Sequence, residues 1–387
     1  MFSELFQAAR RQKRLPFATP TLEPDVACHF HPLLRANKLG TKPKRVVLNE
    51  RAIVLYRDAA GVPHALADQC PHRRSSLSLG QVRPDGRLAC GYHGWHFDEH
   101  GHGQCPTVQK LKCRTRSYQV VEKLGFLWVA DADVPLSALP EFIGYAESGT
   151  GEWEGMKSIG VISATVDAPL TVVVDNFAEV EHVPYLHRIL GWDTGTQNQG
   201  QVVLETENLP DRTEAFVTAP QRTAAVGPML PFDGVLAKLA RPGEHSLLYY
   251  GMRFSPVHNS FQLGWGDPKE RKFRHMTMRA TNVFVPESRN RTHMHTFAFM
   301  KIMDPLWQPF ARVLHRMACW RLMSELRNDM DHVEQIGGSP YQLAGMRLSR
   351  SDKQLVHIRK LLQSIYYKTD VRDEPTAEHE VLAVSAE

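Results

Sequence analysis

The sequence predicts an α+β protein in which a small all-β module precedes a larger region of long strands and helices. Three observations carry that prediction. Between residues 44 and 135, the β-rich runs KRVVLNE, AIVLYRD, PHALADQ, RLACGYHGWHFDE and GFLWVAD are separated by AAG, RPDG and EHGHG. Such short runs, punctuated by Gly, Pro and Asp, read as a compact sheet module. After ALPEF the strand-like runs continue (QVVLETE, EAFVTA, SLLYYGMRF, HMTMRATNVFVP, RTHMHTFAFMKI) and helical stretches interrupt them. The chain has 387 residues, 42% hydrophobic and 23% charged, the balance of an ordinary globular protein with room for more than one domain.

Taken in order, residues 1–25 predict a short Arg-rich helical lead-in. Residues 26–140 hold the β module, and 155–370 form the second domain. There, TVVVDNFAEVEHVPYLHRIL reads as helix, and a second helix spans about Pro305 to Ile336. A last helix starts at Ser351, where Ser-Asp-Lys-Gln354 fits a capping box and Leu355, Ile358, Leu362 and Ile365 share a face. The tail, 371–387, is acidic and rich in Ala, Ser and Val, and is expected to be disordered.

Composition excludes several classes of function. Lys and Arg number 46 against 42 Asp and Glu, a net charge of +4, with no concentrated basic stripe for nucleic acid. No apolar run is long enough to span a membrane. The N-terminus lacks the apolar core of a secretory signal, so a cytoplasmic setting is expected. Six cysteines are too sparse for a disulfide scaffold.

Two of those cysteines lie in a paired pattern: Cys70-Pro-His72, seventeen residues, then Cys90-Gly-Tyr-His93. Two thiolates and two imidazoles on two loops can hold a tetrahedral zinc or a two-iron cluster with cysteines on one iron and histidines on the other. One Cys and one His per loop favours the cluster, because each loop then serves both irons. The surrounding CPHRRSSLSLGQV and LACGYHGWHFDEHG closely resemble the Rieske [2Fe–2S] domain of ring-hydroxylating and related oxygenases. Respiratory Rieske proteins carry two further cysteines; here the positions hold Ser75 and Tyr92. His96, His100, His102, Cys105 and Cys113 are read as surface or loop residues without a ligand role.

A second constellation spans Asn176, Glu179, His182 and His187. The first three are spaced by three and predict one helix face. His182 and His187 are five apart, about 140° away from each other on a regular helix. They converge only if the helix is distorted between them, where Pro184 can supply the break. The string resembles the mononuclear-iron motif of the same oxygenases. That resemblance implies His182 and His187 as iron ligands with a third, carboxylate ligand from a late helix. In MSELRNDMDHVEQ, Asp329 with Glu334 five residues on fits best, and Asp331 is its competitor. The family usually has Asp where this chain has Glu179. There the acid bridges a Rieske histidine of one subunit to an iron-ligand histidine of its neighbour; the corresponding path here runs through His93, Glu179 and His182. Asp175 is expected to cap or orient the helix.

The whole resembles the catalytic α subunit of a Rieske non-heme iron oxygenase. The resemblance implies a helix-grip (START/Bet v1-like) catalytic domain, an antiparallel sheet wrapped on a long helix. It implies a [2Fe–2S] cluster, a mononuclear Fe(II), and a head-to-tail homotrimer. Electrons would come from NAD(P)H through a separate reductase, directly or by way of a ferredoxin, since no flavin or nucleotide fingerprint is present. With O₂ the enzyme would hydroxylate or demethylate a small apolar or aromatic substrate in a monooxygenase-type reaction; amine oxygenation and oxidative cyclisation stay open. Pocket candidates are Leu248, Tyr250, Phe261 and Trp265, then Phe216, Phe297 and Phe299, then Met229, Leu230 and Phe232, although core packing suits most of them better. The rival from another class is an electron-transfer protein with a vestigial iron site, against which the His182/His187/Asp329 set argues.

Overall fold

The computed structural model describes residues 25–108, 110–179, 182, 186–187, 203–220, 245–337 and 353–368. The lead-in before Asp25, the capping-box Ser351 and the tail lie outside the described residues. In chain order the N-terminal module runs through β1 (His31–Arg35), β2 (Lys44–Leu48), β3 (Arg51–Arg57), β4 (Pro63–Ala67), β5 (Gln81–Val82), β6 (Leu88–Ala89), β7 (His96–Phe97), β8 (His102–Gln104), β9 (Lys112–Arg114), β10 (Ser117–Lys123) and β11 (Phe126–Asp131). The longer strands form a six-stranded sheet ordered β1-β11-β10-β4-β3-β2, and β5 to β9 form a five-stranded sheet in sequence order.

Strand β3 shows how the module is built. Its alternation sends Ile53 and Leu55 into the main core and Val54 and Tyr56 into a second, smaller core. A strand buried on both faces reads as a continuous apolar run, as IVLY does. The second core also holds Cys70, Cys90, Trp95 and Phe97, so it forms the floor beneath the paired Cys/His loops.

The second region contains α1 (Glu141–Ser148), β12 (Lys157–Val166), α2 (Leu170–Asn176), β13 (Val203–Asn208), β14 (Arg212–Pro220), β15 (His245–Phe254), β16 (Val257–Asp267), β17 (Lys272–Ser288), β18 (Arg291–Ile302), α3 (Ala311–Gly337) and α4 (Lys353–Leu361). Its seven strands form one antiparallel sheet ordered β12-β18-β17-β16-β15-β14-β13. The long helix α3 buries Leu314, Ala318, Leu322, Leu326 and Val333 on one stripe, the spacing of a helix laid on a core. This is the predicted fold class, a β module beside a sheet-rich region with a long helix.

Several elements differ from the sequence reading. The helix expected through TVVVDNFAEVEHVPYLHRIL stops at Asn176, with Phe177 and Ala178 in a turn. Glu179 and His182 therefore share no helix face with Asn176. The late helix begins at Ala311 rather than near Pro305. Pro309 sits in a preceding 3₁₀ turn, Gln308–Phe310, and proline biases the residue before it away from helix. Strands β12 and β16 were not anticipated, because KSIGVISATV and VHNSFQLGWGD mix polar residues and glycines with apolar ones. The last helix does bury Leu355, Ile358 and Leu362.

The module is fastened to the sheet at defined points. The β2–β3 turn holds Asn49 and Glu50 at φ 44° and 68°, and their amides donate to the carbonyls of Pro286 and Glu287 at 2.7 and 2.9 Å. His31 Nε2 pairs with the Tyr366 hydroxyl at 3.0 Å, and His29 Nδ1 with Ser255 Oγ at 2.9 Å. Phe297 of β18 packs against Trp128 of β11 and Phe142 of α1.

Candidate redox and metal centres

The two Cys/His loops are built alike. The Cys70 amide donates to the Ser75 carbonyl at 2.8 Å, and the Arg74 amide returns to the Cys70 carbonyl at 2.8 Å. The Cys90 amide donates to Trp95 at 2.7 Å, and the Gly94 amide returns to Cys90 at 3.0 Å. The fifth residue of each loop takes a positive φ, 59° at Arg74 and 71° at Gly94. Glycine does this freely; arginine does so at some cost in strain, a feature that clusters at functional sites.

These loops bury both sulfurs and leave the imidazoles at the surface. Cys70 and Cys90 are 1% and 3% exposed, while His72 is exposed and His93 half-buried. The two rings meet edge to face with centroids 4.7 Å apart, and His72 stacks on Trp95. Burial, and then the adjacent Cys90 thiol, push the Cys70 thiol above its ordinary range, although the His72 amide donates to its sulfur. Two neighbouring buried thiols with an amide aimed at sulfur are suited to becoming thiolates on a shared metal group.

The second constellation converges from distant parts of the chain. His182 Nε2 and His187 Nε2 are 3.2 Å apart. Asp329 Oδ1 lies 3.1 Å from His187 Nε2 and 3.5 Å from His182 Nε2. Among the described residues, this is the group of His, Cys and carboxylate donors whose atoms all lie within 4.8 Å of one another. Asp329 is buried, and its Oδ1 makes no well-formed hydrogen bond. Two imidazole nitrogens and one carboxylate oxygen thus converge on one place, and a cation fits that place. Asp331, by contrast, is exposed.

The far side of each imidazole is held by a carboxylate. Glu179 Oε1 accepts from His182 Nδ1, and its Oε2 accepts from the His182 amide at 3.1 Å. Using its side chain on the amide three residues on is how an acid caps a helical turn, and the Leu186 amide donates to His182 O just after it. Glu325 Oε2 lies 2.9 Å from His187 Nδ1. Burial works against the His187 imidazolium, but Asp329 and Glu325 outweigh it and push the group up to about 9; a bound metal takes over that positive charge.

Packing behind the site sets its position. Asp175, buried in α2, is not a helix cap but accepts from Arg359 of α4 at 3.1 and 3.3 Å. The Glu334 side chain accepts from the Asp167 amide at 3.2 Å, tying the end of α3 to the turn before α2. Asn176 keeps a buried side-chain nitrogen without a hydrogen-bond partner. Beside the three ligand atoms lies a cavity walled by Phe177, Leu248, Phe261 and Leu263 on one side and Leu322 and Leu326 on the other. Tyr250 and Asn259 are its polar edge: the Tyr250 hydroxyl donates to the Phe177 carbonyl, and Asn282 donates to Asn259 Oδ1 at 2.8 Å.

Of the pocket candidates, Leu248, Tyr250 and Phe261 reach this cavity. Phe216, Phe297 and Phe299 do not, because strand pairing puts them on the opposite face of the sheet. Trp265 is buried but does not wall the cavity. Met229, Leu230 and Phe232 lie outside the described residues. Glu325 was missed, although it stands four residues before Asp329 on the same helix stripe.

Comparison with known proteins adds to this geometry. The Rieske [2Fe-2S] domain family matches residues 26–120. Over about two-fifths of its length the chain is homologous to Rieske oxygenase subunits. It is 34% identical over 160 residues to the 4beta-methylsterol monooxygenase of Methylococcus capsulatus, covering 38% of this chain and 40% of that protein. It is 36% identical over 159 residues to a vanillate O-demethylase oxygenase subunit of a Pseudomonas species, covering 39% and 42%. The chain thus spans about two-fifths of the length of these curated relatives. The crystal structure of dicamba monooxygenase bound to dicamba superposes with a TM-score of 0.67 at 21% identity over 88% of this chain and 97% of that one, a likeness of fold. This Rieske oxygenase homologue therefore carries a [2Fe–2S] domain and a His–His–Asp group that fits a mononuclear iron.

Proposed function

We propose that this chain is the terminal oxygenase component of a multicomponent system. In this reading Cys70, His72, Cys90 and His93 hold the [2Fe–2S] cluster, and His182, His187 and Asp329 hold Fe(II). The chain divides into a cluster module, 26–140, and a catalytic region, 155–370. Electrons come from NAD(P)H through a separate reductase, with or without a ferredoxin. The reaction is a monooxygenase-type hydroxylation or demethylation of a small apolar or aromatic molecule. The observation that carries the reading is the meeting of His182, His187 and Asp329 beside an apolar cavity in a chain with a Rieske domain. The names of the relatives, a sterol monooxygenase and O-demethylase subunits, support the reaction class.

When bound, the cluster would supply one-electron transfer, and an iron held by His182, His187 and Asp329 would supply reductive activation of O₂. The protein's own residues do the rest. Glu179 and Glu325 keep the histidine protons at Nδ1, so both Nε2 lone pairs face the metal position. The leucines and phenylalanines of the cavity exclude water from that position. Asn259 places an amide at the edge of the cavity, where it can orient a polar group on the substrate.

We further propose a head-to-tail homotrimer in which Glu179 links His182 to His93 of the neighbouring copy. Two features support it. Glu179 already contacts His182 within its own chain. Tyr92 packs on His93 with ring centroids 3.8 Å apart, and Tyr92 and Leu79 are 60% and 77% exposed, apolar surface on the cluster module suited to burial against a partner. No described helix is long and apolar enough to cross a membrane, and the sparse cysteines support a cytoplasmic setting.

Iron content and the EPR spectrum of the dithionite-reduced protein test the reading. About three irons per chain with a Rieske signal supports it. About two irons, unchanged after anaerobic Fe(II) loading, would make the chain an electron carrier. Zinc without a signal would overturn both.

A further inference from the structure

We infer that Glu325, braced by Arg321, is a positioning residue of the mononuclear site. It holds the His187 ring from behind, and Arg321 balances the charge of the whole centre. The inference rests on the proposed ligand set of His182, His187 and Asp329.

Arg321, Glu325 and Asp329 are spaced by four along α3, so they share one stripe of the helix. All three are buried, at 6%, 4% and 3% exposure. Leu322 and Leu326 flank them, so the stripe runs through apolar surroundings. A buried carboxylate is expensive without partners. Glu325 has two: His187 Nδ1 at 2.9 Å on Oε2, and Arg321 Nη2 at 2.5 Å on Oε1.

An ion pair that only stabilised the helix would need nothing beyond Arg321. The second oxygen of Glu325 instead contacts the one imidazole nitrogen that faces away from the metal position. Glu179 does the same for His182 from a different segment. Both histidines are therefore fixed in one tautomer and one orientation by a carboxylate, an arrangement that raises ligand basicity and tightens metal sites.

Charge explains Arg321. Asp329, Glu179 and Glu325 set three carboxylates around a single divalent ion. That leaves one negative charge in a buried site, and Arg321 cancels it.

The test uses the full-length protein with its cluster oxidised and EPR-silent, its mononuclear site stripped and then titrated with Co(II). Apparent affinity and the high-spin Co(II) EPR signal are read for wild type, Glu325→Gln, Glu325→Leu, Arg321→Met and His187→Ala. Glu325→Leu is expected to weaken Co(II) binding by about 10- to 100-fold and to change the EPR line shape. Glu325→Gln, nearly isosteric and still able to accept from Nδ1, falls between it and wild type, and serves alone if the leucine variant does not fold. Arg321→Met should alter the Co(II) signal while His187 stays ligated. A purely structural ion pair would lower the thermal midpoint and leave the signal unmoved. Binding by both Glu325 variants within about twofold of wild type, with the same line shape, overturns the inference. Wild-type binding no tighter than that of His187→Ala overturns the ligand set itself.

Discussion

Acidification from pH 7 to pH 5 is expected to weaken the seam between the cluster module and the C-terminal helix. His31 of β1 is fully buried, with its Nε2 on the Tyr366 hydroxyl at 3.0 Å. Burial, and then the nearby His29, hold its pKa down at about 3. His258, at the start of β16, is held at about 4 by burial, which the Pro256 carbonyl offsets only in part. In the unfolded chain both titrate near 6.5. Below that pH the unfolded state takes up protons that the folded state refuses. Their stability is therefore intact above about pH 6.5 and is lost as pH falls toward 4 and then 3. Integrating between the two pKa values, each group costs about 2 kcal/mol at pH 5. His29, also depressed by burial, adds in the same direction.

The variant His31→Phe removes one titration while keeping a ring of similar shape. It leaves the Tyr366 hydroxyl without its partner, a loss of about 1–2 kcal/mol at either pH. The informative quantity is thus the change in stability between the two pH values. Urea unfolding followed by far-UV circular dichroism should show a pH-dependent loss about 2 kcal/mol smaller in His31→Phe than in wild type, and likewise in His258→Phe. Equal losses in wild type and both variants would refute the linkage.

The remaining predictions concern the two centres. His182→Ala or Asp329→Ala should remove one iron per chain and abolish turnover while the cluster EPR signal persists, whereas Asp331→Ala should keep both, as iron analysis with product assay will show. Glu179→Gln should retain both metals and still slow single-turnover reoxidation of the cluster by roughly tenfold or more, because it removes the charge behind His182; unchanged rates would exclude Glu179 from the electron path. Arg359→Met removes the charged partner of the buried Asp175 and should destabilise the protein by about 3 kcal/mol, read as a lower urea midpoint.

The parts of this molecule that were legible in the sequence are those that local chemistry determines. The cluster loops could be read because Cys, His and their turn residues lie within six positions of one another. The long helix could be read from the spacing of Leu314, Ala318, Leu322 and Leu326. What was not legible depends on tertiary partners. The helix through Val172 reads as continuing past Asn176 as far as a break at Pro184, because nothing nearby signals that the Glu179 side chain will claim the His182 amide. Strand β16 was hidden because Asn259, a strand-poor residue, is paid for by Asn282 on the next strand. Phe297 looked like a pocket residue, yet one step of strand alternation turns it toward Trp128.

The two centres solve opposite problems, and the fold separates them accordingly. In the proposed reading, a cluster that takes electrons from one protein and passes them on would need ligands at the surface. Its loops are short, stiffened by their own backbone hydrogen bonds, and seated on a small core that keeps only the sulfurs dry. The proposed iron site would need the reverse, a dry position beside an apolar cavity. No single loop can bury a charged ligand set, so it is assembled from His182 and His187 on one segment and Asp329 on a distant helix. Such an assembly is only as accurate as the contacts between those segments. Arg359 on Asp175, Glu334 on the Asp167 amide and Glu325 on His187 each cross between elements at that point. The most exacting position is then Glu179, whose carboxylate orients His182 and, in the proposed trimer, would also meet a neighbouring copy. The longer side chain suits the observed part of that duty, since it lets one oxygen cap its own segment while the other holds the His182 ring.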